Sequence, residues 1–151
     1  MNNIAIIIPI YNAEKTLERC LDSVFSQTYT SFDVICVNDG SKDSSLDILE
    51  KYKKKYKNVY IINQDNQGPS VARNNALDYI KDKSYDFIIF IDADDFIDSN
   101  YLETLVNYQK EYDVDIVCSS FYFYKNSNDK PYHQIDKVTV LSNIEATNLL
   151  L

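Results

Sequence analysis

The sequence predicts an α/β domain, a mostly parallel β-sheet with helices on both faces. Short runs that are apolar throughout recur along the chain, and such a strand is one buried on both faces by covering helices. Between them lie segments with apolar residues at helical spacing. The two kinds alternate as βαβαβαβαβ, which implies a parallel sheet with right-handed crossovers. At 151 residues and 45% hydrophobic, the chain is one domain's worth of material with enough for a core.

The first strand is Ile4–Ile10, expected to fray at Pro9, which has no N–H for the ladder. A helix over Glu14–Phe25 follows from Leu17, Cys20, Leu21, Val24 and Phe25, with Asn12 as its N-cap. Phe32–Val37 is a second strand, and Ser41 or Asp43 caps a helix through Leu46, Leu49, Tyr52 and Tyr56. Val59–Ile62 is a third strand, and Pro69 opens a helix carrying Ala72, Ala76, Leu77 and Ile80. Phe87–Ile91 is a fully apolar fourth strand, followed by a helix over Asn100–Glu111 and a fifth strand over Val114–Phe121. The Tyr-rich stretch Tyr122–Tyr132 reads as a loop or hairpin, and Val138–Leu141 as a short strand. Ser142 and Glu145 form a capping box that opens a last helix, whose apolar stripe is expected to promote self-association into a homo-oligomer.

Composition excludes several functions. The net charge is −8, so the chain lacks the basic footprint of a nucleic-acid binder. With 2 glycines there is no dinucleotide-binding fingerprint, and neither glycine precedes a lysine as a phosphate-cradling loop requires. A single histidine argues against His-rich metal sites and weakens nucleophile–histidine catalysis. The 3 cysteines are isolated and read as reduced, packed thiols. Ile4–Ile10 is too short for a signal peptide and has no basic residue ahead of it, and no apolar run suffices for a transmembrane helix. The expected location is therefore the cytoplasm.

In an open α/β sheet ligands bind outside the carboxyl ends of the strands. Carboxylates, amides, both glycines and two prolines crowd those turns here. Asp92-Ala93-Asp94-Asp95 directly follows an apolar strand. Two carboxylates held close repel unless a cation or a proton intervenes, and hard oxygen ligands suit Mg²⁺ or Mn²⁺ completed by substrate phosphates. The alternative is an acidic helix N-cap with solvated turn residues. Asp39 reads either as a turn former or as a carboxylate that accepts a hydrogen bond from a base or ribose. Arg73 opposes the helix dipole, which marks either a functional cation or a surface ion pair. Tyr11 offers a ring for stacking or a plug for the sheet's end.

Taken in order, Ile8-Pro9-Ile10-Tyr11-Asn12-Ala13-Glu14, Val37-Asn38-Asp39-Gly40-Ser41, Asn66-Gln67-Gly68-Pro69-Ser70-Val71-Ala72-Arg73-Asn74 and Asp92-Ala93-Asp94-Asp95 resemble the nucleotide-binding half of the family 2 glycosyltransferases. Four ordered motifs are far more specific than any one of them. The resemblance implies a GT-A (Rossmann-like) fold, with a donor domain over residues 1–125 and the start of an acceptor-side region over 126–151, whose acceptor half is missing. It implies that Pro9, Tyr11 and Glu14 wall the nucleotide, Asp39 binds the base, usually uracil, and Arg73 lies beside it. It further implies that Asp92 faces the ribose, Asp94 ligates Mn²⁺ or Mg²⁺ on the diphosphate, and Asp95 shares or supports that metal. The general base is expected beyond residue 151. The implied activity is inverting transfer from a nucleotide-sugar, a UDP-sugar favoured, to a saccharide, lipid-linked or protein acceptor. A truncated nucleotide- and metal-binding module without transferase activity is the alternative, and an acidic phosphoryl-transfer protein is a third reading.

Lys51, Lys53, Lys54, Lys55 and Lys57 lie late in the second helix. Lysines there complement the dipole as a solvated face, or they make peripheral contact with anionic lipid at the inner face of the membrane.

Overall fold

The computed structural model describes residues 3–121, 138–142 and 144–146. The chain divides into two compact units, residues 1–102 and 103–151. The boundary expected at residues 125/126, the stretch Tyr122–Tyr132 and the last turns of the C-terminal helix lie outside the described residues.

The first unit holds β1 (Ile4–Ile10), α1 (Leu17–Phe25), β2 (Phe32–Asp39), α2 (Ser45–Lys55), β3 (Val59–Gln64), α3 (Pro69–Ile80) and β4 (Phe87–Phe90); α4 (Tyr101–Tyr112) follows. The strands form one parallel four-stranded sheet in the order β3-β2-β1-β4. Ile4, Ile6, Ile7, Ile8 and Ile10 are all at most 1% exposed, as expected of a strand covered on both faces.

The order dictates where the helices go. The steps from β1 to β2 and from β2 to β3 run one way along the sheet, and the step from β3 to β4 runs back past β1. With right-handed crossovers, α1 and α2 share one face and α3 takes the other. On the α3 face Ala72, Ala76 and Ile80 pack on Ala5, Ile7, Ile35 and Val37. Ile88 and Phe90 pair in register with Ala5 and Ile7, so they lie on that same face. They are 45% and 47% exposed, because α3 sits over β1 and β2 rather than over β4. The expectation of a doubly buried fourth strand therefore fails at its edge position.

Pro9 does not fray β1. The β1–β2 register continues through Pro9 to Ile10. Ile7 accepts from the Ile91 N–H on the β4 side. Pro9 shares that side by alternation, and pairing with β4 has already ended at Ile7. Its missing donor therefore costs no ladder bond.

Several boundaries also differ. α1 begins at Leu17, because Asn12 lies in the left-handed region (φ 50°) and its side chain bonds elsewhere. β2 and β3 run on into Asn38, Asp39, Asn63 and Gln64, whose polar side chains satisfy one another. In the second unit neither Val114–Phe121 nor Val138–Leu141 is a strand. Neither has a ladder partner among the described residues, and Ile116, Phe121 and Val140 are exposed. The capping box forms: the Ser142 N–H donates to Glu145 Oε2 at 2.8 Å and the Glu145 N–H to Ser142 Oγ at 3.3 Å. No helix among the described residues is long and apolar enough to cross a membrane.

Cys20 and Cys36 are buried and Cys118 is exposed. Burial, and then the charges of Asp95 and Asp94, push the Cys20 thiol up to about 12. Burial likewise pushes Cys36 far above the thiol range.

Candidate functional site

The chain reverses its direction of travel across the sheet at β1, and the crevice at such a switch point is where open α/β sheets bind ligands. The loop after β1 and the loop after β2 are cross-bonded there. The Asn12 N–H donates to Ser41 Oγ (3.1 Å), Lys42 N–H to Asn12 Oδ1 (2.8 Å) and Ala13 N–H to Ser45 Oγ (2.9 Å). The Glu14 N–H donates to Asp43 Oδ2 (3.0 Å), and Glu14 Oε2 accepts from the Ser44 N–H (3.0 Å). Glu14 thus satisfies an orphan donor at the start of α2 while also lining the crevice. Burial opposes ionisation of Asp43, but hydrogen bonds from Ser45 and from the Glu14 N–H outweigh it and hold its carboxyl below the usual range.

The turn after β4 is closed by the Asp95 N–H donating to the Asp92 carbonyl (3.0 Å). A polar stripe of α1 grips this segment by its backbone. Arg19 Nη2 donates to the Asp94 carbonyl (3.1 Å), Cys20 Sγ to the Asp92 carbonyl (3.6 Å), and the Ile97 N–H to Ser23 Oγ (3.2 Å). Just past the helix, Gln27 is 6% exposed. Its Nε2 donates to the Asp98 carbonyl (2.7 Å), and its Oε1 accepts from the Leu102 N–H (3.0 Å).

Asp39 is 2% exposed and does not line the crevice. Its Oδ1 accepts from Gln64 Nε2 and the Gln67 N–H, both at 2.8 Å, and its Oδ2 from the Gly68 N–H at 2.9 Å. Asn75 Nδ2 donates in turn to Gln64 Oε1 (2.6 Å), which fixes which way that amide faces. Gly40 lets this loop approach: a Cβ there would lie 2.8 Å from the Asn66 nitrogen.

These loops enclose a cleft of about 720 Å³ whose lining includes Pro9, Tyr11, Asn12, Glu14, Lys15, Asp43, Arg73, Asp92 and Asp94. Six of the residues singled out from the sequence therefore meet in one place. Tyr11 is 52% exposed, so it does not plug the end of the sheet. Arg73 pairs with Asp92 Oδ1 at 2.5 Å, so the ion pair and the site are one feature. Neither Asp39, which is buried, nor Asp95, which is exposed, is among the residues that line the cleft. Burial, and then the charges of Asp94 and Asp92, push the Asp95 carboxyl up, the mark of crowded carboxylates short of a counter-charge. No cluster of three or more ligating residues exists among the described residues. Two carboxylates with substrate oxygens completing the shell are nonetheless how Mg²⁺ is usually held, so the residues fit a metal brought in with a diphosphate.

Lys15, Gln27 and Asn75 escaped the sequence reading, and Asn12 and Asp43 entered it as helix caps rather than as cleft residues. A turn-forming Asn after a strand was the signal for Asn12. Gln27 carried no signal, since nothing local tells a buried amide from a solvated one.

A family model described as "Glycosyl transferase family 2" matches residues 5–149. "Glycosyltransferase GlyA" of Streptococcus pneumoniae is 34% identical over 97% of this chain and 22% of its own length. "Poly(ribitol-phosphate) beta-glucosyltransferase" of Bacillus spizizenii is 44% identical over 75% of this chain and 18% of its own. The crystal structure of S. aureus TarS 1-349 superposes with a TM-score of 0.73 at 31% identity, covering 87% of this chain and 38% of that one. The same protein in complex with UDP-GlcNAc superposes at 0.67 with 30% identity, covering 80% of this chain and 38% of that one. The chain thus spans about a fifth of the length of the two relatives.

Proposed function

This chain belongs to glycosyl transferase family 2, and from that premise we propose that its cleft binds the nucleotide-sugar donor, a UDP-sugar with Mn²⁺ or Mg²⁺, for transfer of the sugar with inversion. One observation carries the reading. Residues from the turn after β1, the start of α3 and the turn after β4 line one cleft at the sheet's switch point. The UDP-GlcNAc complex of the TarS structure supports the choice of uridine donors.

In this reading Pro9 and Tyr11 wall the base and Tyr11 stacks on it. Glu14 closes that wall and ties it to α2. A carboxylate has about four acceptor positions, and three on Asp39 are filled, leaving one for an N–H of the base. Uracil presents such a donor at its ring nitrogen where cytosine presents an acceptor. Arg73 holds Asp92 toward the ribose. Asp94 and Asp95 would hold the metal, which neutralises charge developing on the departing diphosphate as a Lewis acid. With −8 net charge, the protein would otherwise repel the donor. The acceptor is a saccharide, lipid-linked or protein hydroxyl, and its general base is assigned to none of these residues.

Calorimetric titration of UDP, GDP, CDP and dTDP, with Mn²⁺ and with chelator, tests the reading. Metal-dependent binding of UDP is expected. No binding, or binding indifferent to chelator, would overturn it.

A further inference from the structure

We propose that the sheet edge opposite the cleft is a docking surface for an anionic lipid bilayer, built from the C-terminal end of α2. This inference does not depend on what the cleft binds. Strands run toward the cleft and helices run back, so α2 starts beside the site, where Ser45 Oγ accepts from the Ala13 N–H, and ends at the far edge. There the Val34 N–H donates to the Asn58 carbonyl and Asn58 Nδ2 to the Phe32 carbonyl, at the start of β2.

Lys51, Lys53, Lys54, Lys55 and Lys57 are all exposed at or near that end. Lys51 pairs with Glu18 at 2.8 Å and Lys55 lies within electrostatic reach of the exposed Asp22, whereas Lys53, Lys54 and Lys57 have no ion-pair partner among the described residues. Lys81 and Lys83, past the end of α3, are exposed at the same edge. Asp82 and Asp86 lie there too, and Asp86 accepts from the Asn3 N–H. The lysine-bearing turn is rigid rather than frayed, because Tyr56 stacks on Phe25 with 3.7 Å between ring centroids.

The donor does not explain this charge. The acids of the cleft and the lysines sit at opposite ends of β1, a strand of 7 residues. At ~3.3 Å per residue that separation is about 20 Å. It exceeds two Debye lengths of about 8 Å at physiological salt. A plane touching only the lysine edge therefore meets a basic surface despite the overall −8. A long soluble polyanion would wrap past the patch and meet the acids, which favours the plane. The cations are lysines, point charges that suit diffuse attraction to headgroups rather than the forked recognition of single phosphates by arginine. Docked so, the cleft opens away from the bilayer.

Co-sedimentation with phosphatidylcholine vesicles containing about 30% phosphatidylglycerol tests this. Binding is expected near physiological salt, is lost at high salt and is absent on pure phosphatidylcholine. Each lysine contributes about fivefold, so Lys53→Glu/Lys54→Glu/Lys57→Glu lowers binding at least tenfold while the protein stays folded by circular dichroism. Lys42→Glu, at the cleft edge, leaves vesicle binding unchanged. No vesicle binding, binding of soluble polyphosphate without vesicle binding, or equal loss with Lys42→Glu each overturns the proposal.

Discussion

Replacing Gln27 with leucine should destabilise the first unit by about 2–3 kcal/mol. The side chain is 6% exposed, and Leu fills nearly the same volume, so no cavity opens. What changes is hydrogen bonding. The Asp98 carbonyl keeps the Tyr101 N–H (3.0 Å), and the Ser23 carbonyl, to which Gln27 Nε2 also donates (3.1 Å), keeps Ser26 Oγ (2.9 Å). The Leu102 N–H loses Gln27 Oε1 and, at the start of α4, has no intrahelical acceptor. One orphaned buried donor costs about 1–3 kcal/mol, and the two weaker losses add up to about 1 more, partly offset by the apolar gain. Urea unfolding followed by circular dichroism should show a midpoint lowered by roughly 1 M at unchanged slope. Gln27→Glu keeps the acceptor for Leu102 but sets a carboxylate against two carbonyls. It should be at least as damaging at neutral pH and partly restored in acid, where the protonated form donates. A loss under about 0.5 kcal/mol for Gln27→Leu would refute the reasoning, because an orphaned buried N–H cannot be that cheap.

Asp94→Asn should abolish metal-dependent nucleotide binding in calorimetry while leaving the melting temperature level or higher, since it removes one of three crowded carboxylates. Gly40→Ala should cost more than Gly68→Ala. Both sit at positive φ (70° and 89°), which costs about 1–2 kcal/mol for alanine, but only at Gly40 would the new Cβ strike backbone, 2.8 Å from the Asn66 nitrogen; paired thermal melts would show the gap. Asp43 has a lowered native pKa, so its ionised form contributes stability above the unfolded value of about 3.9, and that contribution is lost as pH falls through the native value. The melting-temperature difference between wild type and Asp43→Ala should therefore be full at neutral pH and shrink in strong acid, and a difference constant with pH would contradict it.

The fold was legible where burial is complete. β1 and the Val34–Val37 run of β2 are apolar because both faces are covered, and that is written in the residues themselves. The fifth strand was not legible, because Val114–Phe121 has strand composition but a strand exists only through its partner. The site was legible in its turn motifs, since Asp92–Asp95, Arg73 and Tyr11 are the unusual residues at the carboxyl edge. The scaffolding was not. Arg19, Ser23 and Gln27 act on backbone atoms some 70 positions away, a relation no local pattern carries. Asp39 illustrates the same limit from the other side, since its position was visible but not that three donors would already claim its carboxylate.

The contrast among the thiols makes the chain its own reporter. Cys20 and Cys36 are buried with raised pKa values, whereas Cys118 is exposed. Thiolates, not thiols, react with maleimides. A brief treatment of the folded protein near neutral pH should thus attach one dye, at Cys118, in the second unit. The two remaining thiols then serve as a clock. Cys36 in the centre of β2 becomes alkylatable only when the sheet opens, so its labelling rate under native conditions reads the frequency of that opening. Added nucleotide and Mn²⁺ should slow the clock by the free energy of binding, which turns a structural cysteine into a ligand assay that needs no acceptor and no turnover.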